Sequence, residues 1–226
     1  GRVNREALEG ALGDVAERHE PVRTIFPERR GTACQLILDP DKARPELLVS
    51  HVREHELEGV MAEAVKYSFK LAEEPPFRAQ LFVLGEDKYV LLLLLHMIGD
   101  GWSLTPLTRD LEAAYSARCQ GARPEWQPLP VQYADYAIWQ KRLLGSENDP
   151  DSLIARQLDY WTKTLEHLPD QLELPADFPR PAESSYQGGT IQLAIDEKLH
   201  GRLLELARTS GVSLFMILQS GIAALL

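Results

Sequence analysis

The run "YVLLLLLH" (residues 89–96) constrains this 226-residue chain more than any other stretch. A strand with polar residues at alternate positions can leave one face in water. This one has none, so both faces are predicted to be covered and the strand is expected at the centre of its sheet. "FRAQLFVLG" (77–85) precedes it, and "GEDK" (85–88) supplies the polar turn between two apolar strands, which predicts a hairpin. The second strand delivers His96 at its very end, and Gly99, Asp100 and Gly101 follow at once. Their glycines are expected to allow the unusual backbone angles of a sharp turn. Beyond them a helix is predicted, with Ser103 as its N-cap, Pro106 in its first turn and Leu104, Leu107, Leu111 and Tyr115 on its packed face.

Elsewhere, Leu8, Leu12 and Val15 have helical spacing over residues 3–19, and Pro21 is expected to stop that helix. Short strands are predicted at 33–38 and 46–52, and helices at 56–71, 130–144 and 152–168. "GARPEWQPLPVQYADY" (121–136) reads as an ordered proline-rich crossing, and "LPDQLELPADFPRPAESSYQGG" (168–189) as a linker. "TIQLAI" (190–195) then reads as a strand, with Asp196 and Ser213 capping the last two helices. Helices and strands interleave without a strict βαβ period, which predicts a mixed α/β chain. The chain ends in the middle of a predicted apolar helix and "GRVNREALEGAL" starts it as abruptly, so it is expected to be a piece of something longer.

A net charge of −10 leaves no Lys/Arg cluster to neutralise phosphates, which argues against nucleic acid as a partner. The apolar runs are too short to cross a bilayer, so no membrane association is expected. Cys34 and Cys119 show neither metal-ligand spacing nor a disulfide framework, which fits a reducing cytoplasm. There is no GxSxG, Walker loop, GxGxxG or HExxH. His96 and Asp100 have metal-compatible spacing only on a helix, which the glycines oppose, so no metal is expected. An imidazole at a strand end is suited to accepting a proton from a nucleophile or hydrogen-bonding to one.

"HMIGDGWS" (96–103) resembles the HHxxxDG signature of condensation domains from nonribosomal peptide synthetases. "RHEPVRTIF" (18–26) resembles that family's RHExLRTxF motif and "YADYAIW" (133–139) its YxDFAxW motif. "RQLDYW" (156–161), "LELPADFPRP" (172–181) and "SYQGG" (185–189) fall in the family's order, so the resemblance covers essentially the whole chain. It implies a chloramphenicol-acetyltransferase-like α/β fold (an α+β sandwich) of two similar lobes. Residues 1–170 would form the N-terminal lobe without its extreme N-terminus, 171–189 the Pro/Gly-rich inter-lobe linker, and 190–226 the start of the C-terminal lobe.

The activity implied is peptide-bond formation between a donor acyl thioester and an acceptor amine. Each is carried on the phosphopantetheine of a partner carrier domain, and the domain itself holds no cofactor. The implied partners are upstream and downstream peptidyl carrier domains and an adjacent adenylation domain. His96 would serve the attacking amine as general base or by positioning it. Asp100 would be structural, paired with Arg18 or, in reserve, Arg23. The Gly101 amide would face the oxyanion, and Trp139 would shape or buttress the substrate site. Leu95 stands where the family has its first histidine. On a strand Leu95 and His96 point to opposite faces, so this replacement is expected to alter packing more than the reaction centre.

Two other readings stay open: a catalytically silent domain of this fold that recruits or gates carriers, and a CoA-dependent HxxxD acyltransferase. "DGWS" is less similar to the epimerase pattern, and cyclisation domains carry an aspartate where His96 stands. The isolated stretch is expected to be inactive, because half a tunnel cannot orient two tethered substrates.

Overall fold

A computed structural model describes residues 2–184 and 188–226. In chain order the elements are α1 (Arg5–Arg18), β1 (Thr24–Ile25), β2 (Glu28–Arg29), β3 (Thr32–Ala33), β4 (Leu36–Ile37), β5 (Leu47–His51) and α2 (Leu57–Ala64). There follow β6 (Phe77–Val83), β7 (Tyr89–Leu95), α3 (Gly101–Cys119), α4 (Tyr133–Leu144), α5 (Leu153–Thr164), α6 (Glu197–Ser210) and α7 (Leu214–Leu225). The chain divides into two compact units, Gly1–Gln157 and Leu158–Leu226, with α5 running from one into the other.

In the first unit β5, β6 and β7 form a mixed sheet in that order. β5 runs parallel to β6 with Leu47 opposite Ala79, and α2 makes the crossover a parallel pair needs. The expected hairpin is present: β6 and β7 are antiparallel, with Phe77 opposite Leu95 and Val83 opposite Tyr89. The central strand, however, is β6. β7 lies at the edge of the described sheet, with every residue half-buried. One face, Tyr89, Leu91, Leu93 and Leu95, packs against the core, and an apolar run does not say how fully the other is covered. Nor does it count the strand's hydrogen-bonded neighbours.

α1 and α3 cover one side of this sheet. Leu8, Leu12 and Val15 of α1 share one core with Leu107, Leu111 and Ala114 of α3 and with Leu47, Ala79 and Leu81 of the strands. Two carboxylates sit inside those apolar stripes: Asp14 on α1 and Asp110 on α3 are only 3% and 6% exposed. Each is met by an arginine from the opposite helix. Arg118 grips Asp14 with two prongs, at 2.7 and 2.6 Å. Gly10 makes room for it, since a Cβ there would lie 3.0 Å from the Arg118 side chain.

The helix expected over 56–71 stops at Ala64. Beyond it the Glu74 carboxylate accepts the Lys70 amide and the Tyr67 hydroxyl, local bonds that compete with further helical turns. In the second unit Asp196 and Ser213 cap α6 and α7 as expected, accepting from the amides of Leu199 and Met216. Gly211, at φ +68°, ends α6 in the left-handed conformation. Residues 190–195 form no strand, and Ile191 and Leu193 are 94% and 87% exposed. Their alternation is that of a strand, but a strand also needs a partner's ladder, and none is found for it among the described residues. The "SYQGG" stretch lies partly outside those residues, at 185–187. Among the described residues no helix is long and apolar enough to cross a membrane.

Candidate active site

The loop between β7 and α3 is pinned at its start, where the His96 amide donates to the Pro76 carbonyl at 3.1 Å. The sharp turn is made by Met97, at φ +56°, a conformation few side-chain-bearing residues adopt. The flanking glycines were expected to supply it, and neither Gly99 nor Gly101 has a positive φ. Gly99 serves close approach instead: a Cβ there would sit 3.2 Å from the Ser103 side chain. At Gly101 a side chain would meet open space.

Asp100 is the N-cap of α3, one role the sequence reading gave to Ser103. Its Oδ1 accepts the Ser103 amide at 3.0 Å and the Ser103 hydroxyl at 2.9 Å, while Ser103 Oγ accepts the Asp100 amide at 3.1 Å. This reciprocal box satisfies the first turn. The Ser103 hydroxyl, followed by its amide, holds the Asp100 carboxyl below the usual carboxylate range. The cap is therefore complete above the ordinary carboxyl pKa and weakens as pH falls through the lowered one. Asp100→Asn is expected to fold normally, because asparagine caps as well as aspartate. Asp100→Ala should speed hydrogen exchange at the Ser103 amide, and exchange unchanged in that variant would show the cap to be idle.

The expected pair between Asp100 and Arg18 is not formed. Arg18 leaves the last turn of α1 beside the middle of α3, where its Nε donates to Asp110 at 2.8 Å. The same carboxylate oxygen lies 2.9 Å from His19 Nε2. Arg18 also donates to the Gln127 carbonyl at 2.7 Å, and its guanidinium stacks 4.7 Å over the Trp126 ring. Gln132 closes the clasp, donating to the Arg18 carbonyl and accepting the Glu20 amide. Asp110 stands ten residues after Asp100, about 15 Å along the helix at 1.5 Å per residue. Arg18 thus holds α3 by its waist rather than its tip. Arg23 is occupied elsewhere, bonded to the Leu38 carbonyl and to Glu20.

The loop separates two cavities. One, of about 380 Å³, is lined by Glu20, Phe26, Ile37, Ile98, Asp100 and Tyr133, among others. The other, of about 350 Å³, is lined by Tyr67, Phe69, Leu95 and His96, among others. His96 is exposed, and its ring lies parallel to that of Phe69 with centroids 6.3 Å apart. Leu95 packs against the core and also lines the cavity beside His96. Gly101 opens α3, where first-turn amides have no partner within the helix. Trp139 stands at the end of a ring ladder, Tyr133–Tyr136–Trp139, along an exposed side of α4. Tyr133 also lines the first of the two cavities.

A family model described as "Condensation domain" matches residues 1–226. The chain is 62% identical over 227 residues to the dimodular nonribosomal peptide synthase of Bacillus subtilis (strain 168), covering 100% of this chain and 10% of that protein. The X-domain from teicoplanin biosynthesis superposes with a TM-score of 0.86 at 41% identity, over 94% of this chain and 47% of that one. The epimerization domain from the third module of tyrocidine synthetase B shares the fold, with a TM-score of 0.63 at 20% identity over 79% of this chain and 40% of that one. The chain thus spans a tenth of the first relative's length and less than half of either structure.

Proposed function

The chain belongs to the condensation-domain family, and from that premise we propose that it is part of a nonribosomal peptide synthetase and serves amide-bond formation. An acceptor amine on one carrier's phosphopantetheine attacks the thioester carbonyl of a donor on another. The C–N bond forms, the C–S bond breaks, and the donor's thiol leaves with the proton that the amine gives up. The observation that supports this reading best is an exposed imidazole at the end of β7, on a loop flanked by two cavities.

A thioester is already activated, so holding two tethered reactants together supplies much of the acceleration, about 7–11 kcal/mol when geometry is good. In this reading His96 hydrogen-bonds the amine or takes its proton. The Gly101 amide, at the positive end of α3, meets the oxyanion. Asp100 keeps that helix end in place through its cap, and Trp139 supports the substrate side. The lobes 1–170 and 190–226, the linker 171–189, the neighbouring carrier and adenylation domains and a cytoplasmic setting belong to the same proposal. So does inactivity of the 226-residue chain by itself.

A silent recruiting domain is the second reading. It is favoured by Leu95 in the first histidine's place and by the 41% identical X-domain, whose structure is also known in complex with OxyB. Two loaded carrier proteins presented to the complete synthetase discriminate. Amide product supports condensation, whereas binding without product supports recruitment. Product formed from a CoA thioester without carriers would favour the acyltransferase reading.

A further inference from the structure

We propose that Phe69 is a positioning residue for His96, held in place by Tyr67, Glu74 and Arg78; its consequence for catalysis rests on the condensation reading above. An exposed histidine at a strand end is free to turn about both of its side-chain torsions. The Phe69 ring restricts that freedom, lying within 2° of parallel to the imidazole at a centroid distance inside the range of aromatic pairs. Phe69 is itself braced. Tyr67 meets it edge-on at 5.0 Å, with ring planes 84° apart.

Tyr67 in turn is fixed from two directions. Its hydroxyl donates to the Glu74 carboxylate at 2.8–2.9 Å, and the Arg78 guanidinium lies 3.9 Å over its ring. Arg78 belongs to β6, where it stands opposite Leu94 of β7. The brace is therefore mounted on the same sheet that carries His96. Because α2 ends at Ala64, this segment is irregular, and its side chains can reach across the sheet's end. Phe69 and His96 line the same cavity, so the ring that orients the imidazole also forms part of the wall beside it.

The test compares Phe69→Leu, similar in bulk but without a ring, with Phe69→Tyr, which keeps one, in the complete synthetase. Two quantities are read. The first is the rate at which diethyl pyrocarbonate modifies His96, followed by peptide mass spectrometry with the exposed His51 and His55 as internal references. The second is kcat against KM for amide formation. In Phe69→Leu, His96 should be modified severalfold faster with both references unchanged. Its kcat should fall about tenfold to a hundredfold with KM held, since misplacing a reacting group by about 1 Å costs about a hundredfold. Phe69→Tyr should restore both. An unchanged His96 rate in Phe69→Leu overturns the proposal whatever the activity does, and so does acceleration of all three histidines together. A faster His96 with unaltered kcat supports the positioning and overturns the part given to His96 in the reaction.

Discussion

Asp110→Asn is expected to cost about 3–5 kcal/mol of folding stability, the range for removing one partner of a buried ion pair. The substitution keeps the side chain's shape and removes its charge. It leaves Arg18, whose side chain is 11% exposed, without its carboxylate partner. Arg18 retains the Gln127 carbonyl and the Trp126 face, neither of which carries a negative charge. Urea unfolding measures the loss directly, and a loss below about 1 kcal/mol would place the pair among surface salt bridges in energy. The double variant Arg18→Met/Asp110→Leu should recover much of it, since paired apolar replacements of similar volume are often neutral.

The same carboxylate predicts a pH dependence. Burial pushes the Asp110 carboxyl up, but the hydrogen bonds and charges of Arg18 and His19 more than offset this and leave it below the ordinary range. A lowered folded-state pKa means that the unfolded chain binds the proton more readily. The contribution is therefore full above the ordinary carboxyl pKa of about 3.9 and is lost as pH falls through the folded-state value. Asp110→Asn should flatten that part of the acid-unfolding curve.

His96→Ala should have the opposite profile: at least about a hundredfold less amide formation, with stability unchanged. The His96 side chain is exposed, and the bond that ties this strand end to Pro76 uses the backbone amide, which alanine keeps. Single-turnover rates with two loaded carriers separate chemistry from carrier exchange. A variant near the wild-type rate would remove His96 from the reaction and favour the recruiting reading. Together the two substitutions would separate the part proposed for the loop from the clasp that supports the helix behind it.

What was legible in the sequence followed from local rules. The hairpin at 77–95, the Asp196 and Ser213 caps, and the apolar stripes of α1 and α3 each depend on residues near one another in the chain. Partners across long separations were not legible, which is why Arg18 was assigned to the wrong aspartate. A signal did exist. Asp110 falls between Leu107, Leu111 and Ala114, and Asp14 beside Ala11 and Val15, so each interrupts an apolar stripe. A carboxylate there must be paired, and an arginine on the facing helix is the natural partner. Ser103 drew attention because serine is a good cap. Aspartate caps equally well, and here Asp100 sits three residues earlier, the spacing of the reciprocal box. The apparent helix through 71 failed because Glu74 captures backbone and hydroxyl donors locally, and that failure is what frees Phe69 to face His96.

The clasp between α1 and α3 also imposes an order on synthesis. Its bonds join residues 92, 104 and 114 positions apart, so α1 is secured only long after it is made. At about 5–20 residues per second, α1 waits about 5–20 s for Asp110, Arg118 and Gln132 to be translated. Throughout that interval Leu8, Leu12 and Val15 lack the α3 face they share a core with, while Asp14 keeps a charge in the middle of their stripe. A charge that Arg118 pairs once the fold is complete would also keep the helix more soluble while it waits. Asp14→Leu would then leave a more persistently sticky nascent chain and would also strip Arg118 of its carboxylate, so both the yield of folded protein and its stability should fall.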